Sequence, residues 1–402
     1  MRGSILSSHS SSCRLIAVAL AAAMLLMIPD VQGAPRVPAD DSVVVERLPP
    51  TFVALRRLRG AAIAVASVKL EDALVNARRY IELGQTYSDP RAYGYAQSAL
   101  GPWWSADPAP PEIRVMRARI LQFRHEFSAA LLQLEAALRT DQFNPDAWLL
   151  FASIAQVQGN VPAARSACLK LIPIADPLVA ATCVASTAAL GGHGDSAEAL
   201  LAKALRGVSA ASAAERCWAW TTLAEIRERS GDAAGAERAF GAALQLSPDD
   251  VYARSAYADL LLDLGRPREA RALLRDPTQA DALLLRAAIA AQHEHAADAP
   301  ALQQNLAARF AEAHARGDET HLREQARFAL EVEHDIARAL DLAQRNFRIQ
   351  QEPADARVLL EAAHAVGDAQ ATQPAIDWLH RTGIVAPRLL RIARATTPER
   401  TR

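Results

Sequence analysis

The stretch from Cys217 to Asp250, CWAWTTLAEIRERSGDAAGAERAFGAALQLSPDD, constrains the fold more than any other part of the chain. Numbered as 34 positions, it places Trp220 at 4, Leu223 at 7, Ala224 at 8, Gly231 at 15, Ala236 at 20, Phe240 at 24, Ala243 at 27 and Pro248 at 32. Apolar or small residues at positions 4, 7 and 8 line one face of a first helix, and those at 20, 24, 27 and 28 line one face of a second. Gly231 and Asp232 supply the turn between them, because glycine accepts the left-handed conformation at a helix C-terminus without a Cβ penalty. Ala224 and Ala236 are small where the two helices approach most closely, and Pro248 stops the second helix for want of a backbone donor. One such hairpin cannot bury both apolar faces, so neighbouring copies must stack on it.

Steps of 34 residues locate those neighbours. A copy counted from Ala77 has Tyr80, Leu83, Gly84, Tyr87, Ala96, Leu100 and Pro108 in phase. The copy from Pro111 keeps Ala118, Leu121, Phe127, Ala130, Leu134 and Ala137, although Arg117 takes the usually apolar position 7. A third, from Pro145, has Trp148, Phe151, Ala152, Gly159 and Ala164. The fourth, near Leu178, keeps Ala185, Gly192, Ala197, Leu201 and Ala204 but carries extra residues in RGVSAASAAE before Cys217. After the best copy, the sixth runs from Val251 with Tyr257, Ala258, Leu261, Gly265, Ala270 and Leu274, and Pro277 cuts its second helix short. Residues 280–318 read as a longer helix pair, and 320–352 and 353–386 return to the period.

This pattern resembles the tetratricopeptide repeat. The resemblance implies an all-α fold, a right-handed superhelical solenoid of about nine antiparallel helix pairs, with regular repeats over 77–284 and degenerate ones over 285–386. Residues 1–33 have the composition of an export signal: Arg2 and Arg14 precede an apolar run from Leu15 to Ile28, and Val31, Gln32 and Gly33 offer small residues for cleavage before Ala34. The run is 14 residues, short of the roughly 20 that a spanning helix needs, with a retained anchor as the competing reading. Residues 34–50 are proline-rich and read as an extended arm or linker, and 51–76 carry helical spacing suited to capping the first repeat. Residues 387–402 open with a short helix and end in a polar tail.

A formal net charge of -1 removes the simple electrostatic case for nucleic acid or anionic membranes. Lys69, Lys170 and Lys203 are the only lysines, so nearly all the positive charge is arginine. Three cysteines follow the signal: Cys168, Cys183 and Cys217. Cys168 and Cys183 fall on consecutive helices and are the one pair able to form a disulfide, while Cys183 and Cys217 stand a repeat apart, too far for a bridge. Three buried reduced thiols acting as small apolar residues are the alternative. No catalytic constellation emerges. His293 and His295 are two apart and point to different helix faces, His125-Glu126 lacks a second histidine at Ala129, and no nucleophile elbow or phosphate loop occurs. The chain reads as a non-enzyme with no cofactor or metal.

Function is therefore sought in the groove. In the family that the chain resembles, the concave face is lined by first helices at positions 2, 5, 6, 9, 12 and 13. Matched residue by residue, these include Arg119 in the second copy, Trp218, Thr221, Glu225 and Glu228 in the fifth, and Tyr252, Asp259 and Asp263 in the sixth. The basic carboxylate clamp of the chaperone-binding members has no counterpart here, because the matching places are apolar, acidic or hydroxylated. Aromatic residues beside carboxylates suit an extended basic segment. The expectation is a periplasmic or secreted scaffold that binds a protein or peptide of an envelope assembly. The alternatives are an accessory component binding a small molecule or polymer, and a solvated face on a spacer or dimer platform.

Overall fold

The computed structural model describes residues 69–87, 90–315 and 320–396. The expected signal, the arm and most of the capping segment lie outside the described residues, as does the end of the C-terminal tail. Nineteen α-helices and no strand occur among the described residues. In chain order they pair as α1 (Leu70–Tyr87) with α2 (Pro90–Leu100), α3 (Pro111–Phe123) with α4 (Phe127–Thr140), and α5 (Pro145–Val157) with α6 (Val161–Leu171). Then follow α7 (Pro177–Leu190) with α8 (Gly194–Arg206), α9 (Ala213–Ser230) with α10 (Ala233–Leu246), and α11 (Val251–Asp263) with α12 (Pro267–Leu273). The C-terminal pairs are α13 (Asp281–His293) with α14 (Ala299–Ala315) and α15 (Leu322–Phe328) with α16 (Ile336–Ile349); α17 (Pro353–Val366) then packs chiefly on α16 and on α19 (Pro387–Thr396), with α18 (Gln373–Thr382) between them in sequence. The stacked pairs form an all-helical solenoid.

The fifth copy shows why the sequence folds this way. Ser212 and Glu215 form a reciprocal capping box that starts α9, and Gly231 ends it in the left-handed region at φ 93°. Asp232 then caps α10 by accepting from the Gly235 amide at 2.8 Å. Ala224 and Ala236 are both 0% exposed, so the helices meet backbone to backbone with only methyl groups between them. Leu223 and Phe240 fill the space beside that contact, and Phe240 stacks on Tyr257 of the next copy.

Two departures from the repeat pattern have local causes. Arg117, at an apolar position, is buried because its Nη2 donates to the carbonyls of Trp103 and Ala106 at 2.6 and 2.8 Å, satisfying the irregular turn that precedes Pro108. The first copy's helix begins at Leu70, ahead of the repeat phase at Ala77, so the last part of the expected capping segment is continuous with α1. Cys168 on α6 and Cys183 on α7 are bonded, with 5.4 Å between their Cα atoms, and Cys217 is a buried free thiol.

The array does not end in an open edge. The Gln351 amide donates to the Val157 carbonyl at 2.7 Å, across nearly 200 residues of sequence, joining the start of α17 to the end of α5. Gln350 bonds the His125 ring at 3.3 Å beyond α3, Leu190 of α7 packs against the C-terminal core, and Ile349 against the N-terminal one. Gly192, just past α7, lies directly against Gly383, just past α18: a Cβ there would sit 2.3 Å from the Gly383 carbonyl oxygen. The last copies therefore pack onto the turns that join the helices of the second, third and fourth.

Three glycine substitutions test this closure. Gly231 and Gly192 both have positive φ, but a Cβ at Gly231 meets nothing within 4 Å. Gly231→Ala is expected to cost about 1 kcal/mol through backbone strain alone. Gly192→Ala adds the clash, for a loss on the order of 2–4 kcal/mol, and accelerates amide exchange near residues 376–390 as well as near 190. Gly194→Ala, at an open helical position, should leave the melting curve unchanged. Equal effects of Gly192→Ala and Gly231→Ala would refute closure.

Candidate functional site

The closure brings the C-terminal helices against the acidic groove of copies five and six. Asp259 lies one helical stripe along from Tyr252 on α11, and Arg286 of α13 reaches it from the neighbouring pair. The Arg286 Nε donates to both carboxylate oxygens at 3.1 Å and its Nη2 to Oδ2 at 2.7 Å. Arg327 of α15 donates to Oδ1 at 2.8 Å from 68 residues away and also pairs with Glu331 at 2.8 Å. Burial alone would raise the Asp259 carboxyl, but Arg286 and Arg327 outweigh it and hold the group below the usual carboxylate range. Asp263, at the end of α11, receives both terminal nitrogens of Arg357 on α17, each at 2.9 Å, and pairs with Arg388 of α19. Arg357 and Arg388 share Glu361 as a second acceptor, at 2.9 and 3.5 Å.

The wall continues through Arg323 of α15, which contacts Glu324 at 3.4 Å, Glu352 at 3.3 Å and the buried Asp355 at 3.4 Å. Asn346 fixes Asp355 from the other side at 2.7 Å. Burial raises Glu324, but Arg323 and Arg286 prevail and bring it down to about 2. Glu352 is instead pushed up, by burial first and then by Asp355.

Of the groove residues expected from sequence, the structure brings Glu225, Glu228, Tyr252, Asp259 and Asp263 together and leaves three apart. Arg119 pairs with Asp146 of the next copy at 3.3 Å, far along the array. The Thr221 hydroxyl donates to the Cys217 carbonyl at 2.9 Å and is buried, so it belongs to the helix and not to the groove. Trp218 packs half-buried against the cluster around Cys168 and Cys183. Tyr252 remains 60% exposed, and its hydroxyl donates to the Glu225 Oε1 at 2.5 Å. Glu228, one turn further along α9, is half-buried, and burial followed by Glu225, Asp263 and Asp259 pushes its carboxyl up to about 7.

Sequence reasoning missed Arg323, Arg327, Arg357 and Arg388. Arg323 and Arg327 stand four apart, so they share one helical stripe, which was a usable signal; nothing local pairs Arg327, Arg357 or Arg388 with a groove acid 68 or more residues earlier. The chemistry of the wall is charge recognition: fixed guanidinium and carboxylate groups, one open aromatic face and no convergent group of metal ligands among the described residues.

The Glu228 carboxyl gives a pH test. It titrates near 7 in the fold against 4.5 as reference, so protonation favours the folded state and stability is lost as pH rises from about 4.5 through 7. Glu228→Gln removes that penalty. The variant should exceed wild type by on the order of 1–2 kcal/mol at pH 8 and match it at pH 4.5, read from chemical denaturation. A constant difference across that range would contradict the raised carboxyl.

Two tetratricopeptide repeat family models match, one over residues 115–179 and one over 229–292. No curated protein sequence matches the chain. Among solved structures, Rap protein complexed with Competence and Sporulation Factor is similar in fold, with a TM-score of 0.51 at 11% identity over 85% of this chain and 93% of that one. PilW, a type IV pilus biogenesis factor, aligns at a TM-score of 0.40 and 19% identity over 50% of this chain and 93% of its own. A thermophilic TPR protein of Thermus thermophilus aligns at 0.39 and 19%, over 48% of this chain and all of that one. With the repeat phase, the paired helices and both family matches in agreement, the chain carries tetratricopeptide repeats.

Proposed function

We propose that this protein is an exported scaffold that holds an extended segment of an envelope protein against the charged wall of copies five and six. The observation that carries this reading is Tyr252. It is a large ring left 60% exposed in the midst of side chains that are otherwise engaged with one another. Aromatic rings give much contact area for little lost side-chain entropy, which is why they anchor interfaces. The surrounding carboxylates and arginines supply orientation and rate of encounter. Repeat proteins of this family bind protein partners, and no helix among the described residues is long and apolar enough to cross a membrane.

Export is supported by two independent features. The apolar run from Leu15 to Ile28 has a charged front and a small-residue rear, as a secretion signal requires. The Cys168–Cys183 bond belongs to chains that mature in an oxidising compartment. N-terminal sequencing of the protein from fractionated cells should find it beginning near Ala34 and outside the cytoplasm. Full-length chain in the inner membrane would sink this part of the reading.

The partner is tested by crosslinking tagged protein in the native envelope and purifying the adduct. Wild type and Leu132→Ala, an exposed position on α4, should each recover one defined protein, and Tyr252→Ala several-fold less of it. Equal recovery from all three would remove the wall as the binding face. Failure of wild type to recover any defined protein would remove the scaffold.

A further inference from the structure

Within the charged wall the carboxylates are not equally supplied. Asp259 and Asp263 each hold two of the chain's own arginines, and Glu324, Glu352 and Asp355 share Arg323. Glu225 receives only the Tyr252 phenol, and the Glu228 side chain has no hydrogen bond or ion pair among the described residues. These two glutamates stand three apart on α9, one helical turn, so both carboxyls project on the same side. The cations near them are committed or offset. Arg323 serves three other acids, and Arg229 is the next residue along from Glu228 and leaves the helix in a different direction.

A second observation comes from the facing helix. Ser255 of α11 is 6% exposed, and its hydroxyl oxygen has no hydrogen-bond partner. Buried hydroxyls on these helices normally donate back to a carbonyl four residues earlier, as Thr182 and Thr221 do at 2.7 and 2.9 Å; Ser255 does not. It lies three residues after Tyr252 and four before Asp259, on the stripe of α11 that carries both. A buried polar atom without a partner marks a place where a further polar group belongs.

We infer that Glu225, Glu228, Tyr252 and Ser255 form a subsite for a guanidinium group, supplied by an arginine in the partner's extended segment. The inference rests on the scaffold reading and gives it a chemistry. Two carboxylates on one helical turn match the paired donors of a guanidinium, the open tyrosine ring offers a π face to the delocalised cation, and the Ser255 hydroxyl can accept a remaining donor. The chain already uses this solution twice in the same wall, where Arg286 and Arg357 each place two nitrogens on one carboxylate. A metal ion fits less well, since no group of three or more ligating side chains converges among the described residues. Because Glu228 titrates near 7, a bound cation would draw off its proton, and affinity would rise between pH 6 and 8. Charged groups facing it are Glu225 and Arg229 on α9 and Asp259 and Asp263 on α11. Arg323 of α15 and Glu352, the cap of α17, lie near Tyr252, and Glu352 is also raised into that window, so the share belonging to Glu228 is the part of the pH dependence that Glu228→Gln removes.

The probe is a fluorescein-labelled hexa-arginine peptide, with hexa-lysine and hexa-glutamate as comparisons, followed by anisotropy in about 0.15 M salt to screen diffuse attraction. Wild type should bind hexa-arginine more tightly than hexa-lysine and ignore hexa-glutamate. The Glu225→Gln/Glu228→Gln protein should bind hexa-arginine at least tenfold more weakly with its melting temperature retained. Tyr252→Phe, which keeps the ring, should bind within about threefold of wild type, and Tyr252→Ala should not. Glu135→Gln and Glu312→Gln, exposed on α4 and α14, report general charge loss and should change nothing. No binding by wild type, an unchanged affinity in the double variant, or an equal loss in the exposed controls would each overturn the subsite. If the envelope crosslinking still recovers its defined protein from the double variant in full, the scaffold stands and the guanidinium subsite alone fails.

Discussion

Close approach of one backbone to another is the constraint on which the rest of this molecule depends. Within a copy it is met by alanine at positions 8 and 20, as Ala224 and Ala236 show, with no side chain larger than a methyl between the helices. Between distant copies it is met by glycine, where Gly192 lies on Gly383 with room for no Cβ at all. Both contacts give dispersion energy only at short range, so they exist only if the residues are small. Larger side chains then sit to either side of the crossing and set the angle at which one pair leans on the next. The curvature that returns the last copies to the second, third and fourth is the accumulated result of these small residues.

The ion pairs across the closure work differently. Taking charges from water costs several kcal/mol per ion before any attraction is counted, so Asp259 with Arg286 and Arg327 contributes little net stability over a well-packed apolar alternative. What such pairs contribute is discrimination. Arg327 and Arg357 satisfy their partners only when α15 and α17 sit in one register against α11, and any slip of the C-terminal helices would strand buried charge. Apolar burial thus holds the ends together, and the guanidinium pairs fix where they come to rest.

The sequence shows the first of these layers well and the second poorly. A period of 34 residues is a local signal, and Trp220, Ala224, Gly231, Ala236 and Phe240 carry it within one copy, so the helix pairs and their turns were legible without coordinates. The acidic character of the groove at Asp259 and Asp263 was legible for the same reason. Closure was not, because the contacts of Gln351 with Val157 and of Arg357 with Asp263 join residues 194 and 94 apart, and no repeat phase relates them. Trp218, groove-facing by its position number, packs against the cluster around Cys168 and Cys183 of the preceding copies, a contact that the repeat phase alone does not specify. Arg117 looked like a defect in the pattern because its acceptors, the Trp103 and Ala106 carbonyls, sit in a turn that the repeat does not specify.

An open solenoid behaves as a spring: each interface between pairs yields slightly, and the pitch adjusts to whatever lies inside. A solenoid whose final copies are bonded to its early ones loses that compliance, since lengthening the pitch would separate Gln351 from Val157 and Gly383 from Gly192 together. The spacing between these copies is then fixed. Elastic arrays mould themselves to partners of many sizes, whereas a latched one holds its binding positions at fixed spacings before any partner arrives.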